Sequence, residues 1–81
     1  MKVEQLANNQ IVVTSPNGVQ TFVSYGKTIA TKSSNGVVHL DETYWNYSNT
    51  TSKYRNKFLG EKLNDTRKKI EKGEYKITNL N

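Results

Sequence analysis

Four clusters of turn-forming residues punctuate the first forty positions of this chain: Asn8-Asn9, Pro16-Asn17-Gly18, Tyr25-Gly26 and Asn35-Gly36. Asparagine and glycine accept the positive φ that tight hairpin turns demand, so punctuation this frequent leaves room only for short strands that double back. The intervening runs agree. Gln10 to Ser15, Val19 to Tyr25, Lys27 to Lys32 and Gly36 to Leu40 are rich in Val, Ile, Thr and aromatics, and Val3 to Ala7 adds a fifth candidate. Ser34-Asn35-Gly36-Val37 is the strongest hairpin signal. The spacing predicts an antiparallel meander of four to five strands.

At Leu40-Asp41-Glu42 the pattern changes. Ser48, Asn49 or Thr50 can cap a helix, and Gly60 stands where a left-handed residue would end one, which predicts a helix from about Thr50 to Leu59. On such a helix Tyr47, Thr51, Tyr54 and Phe58 fall within about 60° of one another and form the core face. Lys53 and Lys57 lie on the outer face, and Arg55 projects from a flank toward a groove or a neighbouring subunit. A second helix starts at Asn64 or Asp65 and ends before Gly73, and EYKITNL reads as a closing strand with Tyr75 and Ile77 on one side. The expected fold is α+β: a small antiparallel β-meander followed by two short helices and a C-terminal strand. Residues 1–81 make one domain, divided into the meander (1–40), a basic helical segment (41–73) and the closing strand (74–80).

A chain of 81 residues hides only roughly 60% of the surface its unfolded form exposes, so a deep pocket inside one copy is not expected. A homo-oligomer would bury more apolar surface and could enclose a site between copies. The absence of cysteine excludes a disulfide framework and thiolate metal sites and fits a reducing cytosol. No apolar run approaches a membrane span and MKVEQLANN lacks a signal-peptide core, so no membrane partner is expected.

The net charge of +5 is unevenly placed. In residues 1–52, Lys2, Lys27 and Lys32 balance Glu4, Asp41 and Glu42, so the whole excess lies in residues 53–81. Such an imbalance argues for an anionic partner. Catalysis finds little support: His39 is the one histidine, no serine stands in a nucleophile-elbow motif, and the carboxylates are scattered and mostly flanked by lysine. No catalytic residue, metal ligand set or cofactor is expected, and the chain reads as a non-enzymatic binder. Phosphate recognition has more material, in Lys53, Arg55, Lys57 and Arg67 together with Thr50 and Thr51 at a helix entrance. Tyr44 and Tyr47 are the candidates for stacking on a base, whereas Tyr54, Phe58 and Trp45 read as core.

Residues 40–81 carry the strings YWNYSNTTSKYRNKFLGE and TRKKIEKGEY. This half of the chain resembles a family of small proteins encoded by bacteriophages and prophages, whose shared pattern is YWxYSxTTSKYRNxFLGE followed by TRKKIExGEY. Relatives often place a basic residue where this chain has Asn49. The resemblance implies a phage accessory protein acting in the host cytoplasm by binding. One expectation is a homo-oligomer that sequesters a nucleotide or cyclic oligonucleotide signal of host antiviral defence, with Lys53, Arg55, Lys57 and Arg67 on phosphate and Tyr44 or Tyr47 on the base. The alternatives are a nucleic-acid-binding module using the same basic half, or an inhibitor docking on a host protein.

Overall fold

The computed structural model describes all residues, 1–81. Six strands form one sheet in sequence order: β1 (Lys2–Ala7), β2 (Gln10–Thr14), β3 (Gln20–Ser24), β4 (Lys27–Lys32), β5 (Val38–Asp41) and β6 (Tyr75–Thr78). Two helices, α1 (Asn49–Leu59) and α2 (Leu63–Glu71), lie between β5 and β6. The first five strands pair antiparallel as the turn punctuation predicts, and the fold is α+β. β6 pairs parallel to β5, with Val38 opposite Tyr75 and Leu40 opposite Ile77. The helical segment thus forms a crossover that returns the chain to the sheet in the direction it left.

The hairpin turns reveal a repeated device. Ser15-Pro16-Asn17-Gly18-Val19 and Ser33-Ser34-Asn35-Gly36-Val37 close with the same bonds. Each serine N–H donates to the valine carbonyl at 2.9 Å, and each glycine N–H donates back to the serine carbonyl. Both glycines sit at φ 90°, a conformation open to residues without a Cβ. The two-residue turn with positive φ at both centres instead occurs at Tyr25 (52°) and Gly26 (77°), so the Asn-Gly signal at 35–36 marks a longer turn than expected.

Alternation sorts the strands into two faces. Lys2, Glu4, Gln10, Val12, Phe22, Ser24, Ala30, Val38 and Leu40 share the helix-side registers, and of these Gln10, Val12, Phe22, Ser24, Ala30, Val38 and Leu40 are buried. A bulge between Phe22 and Val23 and their β4 partners lets both Ile29 and Ala30 enter the core despite being neighbours in sequence. Phe58 of α1 completes this core by stacking on Phe22, centroids 5.8 Å apart. The opposite face, which carries Val3, Val13, Thr21, Thr31 and His39, has no helix on it, and none of these side chains is buried. Gln10 departs from the rule that buried polar groups find partners, since it is fully buried and neither amide atom has a hydrogen-bond partner.

The two repeated turns also touch each other. A Cβ on Gly18 would stand 3.0 Å from the Ser34 Cβ, whereas one on Gly36 would meet nothing within 4 Å. Gly36→Ala therefore incurs the left-handed penalty alone, about 1 kcal/mol. Gly18→Ala adds a steric clash and is expected to cost clearly more, by urea denaturation of the two variants side by side. Equal losses would show that the turns do not meet.

Candidate functional site

The candidate site is built by the segment that leaves β5 and enters α1. Asp41, at the end of β5, is buried. Its Oδ2 accepts the backbone N–H of Thr43 at 3.0 Å and of Tyr44 at 2.8 Å, while Oδ1 accepts that of Leu80 at 2.8 Å. One carboxylate thus turns the chain off the sheet and pins the C-terminal tail to the same point. Burial alone would raise its pKa, but the bonds from Leu80, Tyr44, Asn81 and Thr43 outweigh burial and hold it below the ordinary aspartate value. Farther on, Ser48 Oγ accepts the Thr51 N–H at 3.1 Å and so caps α1. Gly60, left-handed at φ 71°, ends it.

Between these caps Arg55 lies wholly inside the molecule. Its Nη1 donates to the Trp45 carbonyl at 2.7 Å and to Asn46 Oδ1 and Ser52 Oγ at 3.2 Å, and Nη2 donates to Asn56 Oδ1 at 3.0 Å. Thr51 is equally buried and shares a 2.8 Å hydrogen bond with Ser24 Oγ on β3. Two phosphate candidates are therefore corrected. Arg55 and Thr51 face inward, because the buried stripe of α1 is Thr51, Arg55 and Phe58, rotated from the expected one. The cause is the 42–48 loop, whose backbone carbonyl and Asn46 amide line that flank with acceptors spaced for a guanidinium. Burial lowers the pKa of Arg55, Glu61 opposes that and Arg67 adds to it, yet a guanidinium remains charged.

Glu61 forms a second hub just past α1. Its Oε1 accepts from Lys69 Nζ and Tyr75 Oη, and its Oε2 from Thr66 Oγ1, at 2.6 to 2.7 Å. Those bonds override the upward push of burial and lower the pKa of Glu61. The hydrogen bond from Lys69 raises that lysine's pKa, and burial followed by the Glu61 carboxylate raises that of Tyr75. The carboxylate ties α2 and β6 to the end of α1. At the start of α2 (N-cap Lys62), Asp65 Oδ2 reaches back to the Lys62 N–H at 3.3 Å, so the helix begins two residues before Asp65 and its entrance is already occupied by a carboxylate.

The other candidates remain outside. Thr50, Lys53, Lys57 and Arg67 are exposed, as is Tyr47, while Tyr44 is half-buried. Thr50, Lys53 and Lys57 lie on one side of α1 at helical spacing. Lys53 Nζ stands 5.5 Å and Lys57 Nζ 5.2 Å from the Tyr54 ring centroid. At the helix entrance Tyr44 and Tyr47 meet edge to face at 5.3 Å, with Lys27 Nζ 5.5 Å from Tyr44. Arg67 is set apart, 5.9 Å from the Trp45 ring on the Arg55 side of α1. Thr50, Lys53 and Lys57 thus share an exposed side of α1, the tyrosine pair and Lys27 stand at the helix entrance, and Arg67 lies on the Arg55 side.

Sequence reasoning missed the contribution of the meander. A groove of ≈ 250 Å³ between α1 and β1 is lined by Lys57 and Phe58 from the helix and by Glu4, Leu6, Val12, Gln20 and Lys32 from the strands. Lys32 Nζ donates to the Phe58 carbonyl at 3.4 Å at the end of α1. Strand alternation, which puts Glu4, Val12, Gln20 and Lys32 on the core side, was the available signal. A larger cleft of ≈ 520 Å³ beside α2 sets Lys68, Lys69 and Lys72 among Glu61, Asp65 and Glu74, so its charges balance and it holds none of the candidate residues. Lys69 to Glu61, at 2.7 Å, is the one ion pair in the molecule. No cluster of three His, Cys, Asp or Glu side chains stands ready to hold a metal ion. No helix is long and apolar enough to cross a membrane.

The model described as "Family of unknown function (DUF8033)" matches residues 1–76. The chain belongs to this family. No curated protein and no solved structure matches it. The match takes in the β-meander as well as the helical segment, so in this DUF8033 member both parts of the groove between α1 and β1 belong to the family domain.

Two outcomes test the division between interior and surface. Arg55→Ala removes the donor to the Trp45 carbonyl and the Asn56 amide oxygen and opens a cavity, so it should cost about 3 kcal/mol by urea denaturation followed through Trp45 fluorescence. Lys53→Ala and Lys57→Ala should each stay within about 1 kcal/mol of the parent. For pH, Asp41 and Glu61 are acids with lowered folded pKa, so their contribution is complete above the unfolded carboxylate range and is lost as pH falls below about 4. Lys69 and Tyr75, both raised, stabilise the fold below about pH 10 and lose that contribution as pH rises through their folded values. Glu61→Gln should flatten both limbs of the stability profile measured by thermal melting.

Proposed function

We propose that this protein is a non-enzymatic binder of phosphate-bearing anions, taking an extended single strand of nucleic acid along the exposed side of α1. The observation that carries the reading is the set Lys27, Tyr47, Thr50, Lys53 and Lys57, all exposed, with the half-buried Tyr44 packed beside Tyr47. Its lysines have no carboxylate within ion-pairing distance in a molecule of net charge +5. Lysines spaced along a convex helix follow a chain of phosphates, and an exposed tyrosine at one end offers a face to an unpaired base. With Arg55 and Thr51 turned inward, no converging arginine pocket is left in one copy to close around a single nucleotide.

A second reading has its own support in the groove beside β1, where Lys32 and Lys57 stand over the apolar floor of Val12, Leu6 and Phe58. At ≈ 250 Å³ it falls short of an ordinary ligand pocket, and two copies sharing it would enclose a nucleotide better than one. The resemblance of residues 40–81 to phage and prophage proteins supports a setting in the infected host, where such a homo-oligomer would sequester a nucleotide signal of antiviral defence.

Three phosphate contacts on a single strand imply a salt slope near −2, roughly a twentyfold loss of affinity between 50 and 200 mM salt. Fluorescence anisotropy with a short oligothymidylate should show that loss, and Lys53→Ala with Lys57→Ala should make the slope shallower, to about −0.7. Salt-insensitive binding, or none, overturns the strand reading. A single tight ligand in calorimetry against a nucleotide panel would favour the second.

A further inference from the structure

We infer that β1 is the seat of a two-fold interface with a second copy of this chain, in which the β1 strands pair antiparallel about Val3 and join two six-stranded sheets into one. The inference stands independently of what the lysine and tyrosine set binds.

β1 occupies one edge of the sheet and pairs with β2 alone. Its outer side presents unpaired backbone N–H and C=O groups, a ready template for another strand. The alternative edge, β6, is four residues long and its outward face carries Lys76. β1 is longer, and it bears Val3, 62% exposed, with Met1, 84% exposed, just before it, the two most exposed large apolar side chains of the molecule.

Antiparallel neighbours related by a two-fold axis keep their faces aligned, so the axis must pass through a residue, and the side chains choose which. Centred on Glu4, the pairing sets carboxylate against carboxylate. Centred on Lys2, it sets ammonium against ammonium. Centred on Val3, it places Lys2 of each copy opposite Glu4 of the other, twice, on the helix side. On the open side it buries Val3 against Val3. Opposite charges and β-branched pairs facing across strands are each favourable, whereas like charges directly opposite are not. The interface also lies in the half of the chain whose charges sum to zero, so two molecules of net +5 meet where repulsion is least.

The pairing changes the groove between α1 and β1. Glu4 and Leu6 form its outer wall in one copy, and the neighbouring β1 continues the floor beyond them into the mirror groove. Lys57 and Lys32 of each copy then overlook one trough. A single edge seam buries little area, so the dimer should be concentration-dependent.

Sedimentation velocity on the full chain over a wide concentration range should show a monomer–dimer equilibrium. Val3→Lys leaves the exposed position solvated in the monomer and sets two ammonium groups at the axis, and it should shift the midpoint at least tenfold toward monomer with an unchanged melting curve. Lys2→Glu alone should weaken the dimer in the same way, and Lys2→Glu combined with Glu4→Lys should restore it by exchanging the partners' signs. A chain that stays monomeric throughout, a dimer indifferent to Val3→Lys, or a double reversal that fails to recover association overturns the inference.

Discussion

The helical half of this molecule depends on a buried charge that makes no direct ion pair. Arg55 is held by the Trp45 carbonyl and by the side chains of Asn46, Ser52 and Asn56, all neutral acceptors, and its Nε has no partner at all. Removing a guanidinium from water is expensive, and the return comes from bonds to charged groups being about twice as strong as neutral ones in a dry setting. The arrangement is directional. A fork of fixed geometry can meet those acceptors only when the 42–48 loop lies along one flank of α1, so burying Arg55 fixes the loop and the helix together. A lysine, with a single rotating ammonium, could not define the same geometry.

Two further hubs extend that constraint outward. Asp41 gathers the loop and the C-terminal tail at the end of β5, and Glu61 gathers α2 and β6 at the end of α1. The Thr51 to Ser24 bond and the Phe58 to Phe22 stack then seat the assembly on the sheet. Most of the stretch from Trp45 to Glu61 is occupied in this way. What looks on paper like a mixed aromatic and basic binding patch is for the most part the internal wiring of a small fold, and the residues it leaves free are few enough to name.

The meander was legible because turns are local. Asn and Gly at fixed intervals settle where strands stop, and β4 runs over Lys27–Lys32 as its residues predict. The direction of β6 was not legible, since parallel or antiparallel pairing is decided by how the crossover packs and leaves no mark on a four-residue strand. Arg55 failed for a related reason. Helical spacing put it on a flank, and only the tertiary position of a loop ten residues earlier makes that flank interior. The capping role of Asp65 was readable, but its reach backward to Lys62 moved the helix start from where a forward cap would put it. Of the candidate site, the outward position of Lys53 and Lys57 was legible from helical periodicity. Lys27 and Lys32 were overlooked because their importance comes from strands that approach the helix in space alone.

The unpaired amide of Gln10 bears on how firmly the site is held. Gln10 opens β2 opposite Ser24, on the same face as the Ser24 to Thr51 bond that seats the first turn of α1. A buried amide without partners costs about 1–3 kcal/mol that is recovered whenever water reaches it. Opening the structure at that end therefore carries a smaller penalty than opening it at the other, where Phe58 stacks on Phe22 and Lys32 holds the last turn. The tyrosine pair lies just before this first turn and the lysine ridge runs away from it. What holds the tyrosine pair in place is therefore the bonding of Arg55 and Asp41 to the 42–48 loop more than the seating of the first turn itself.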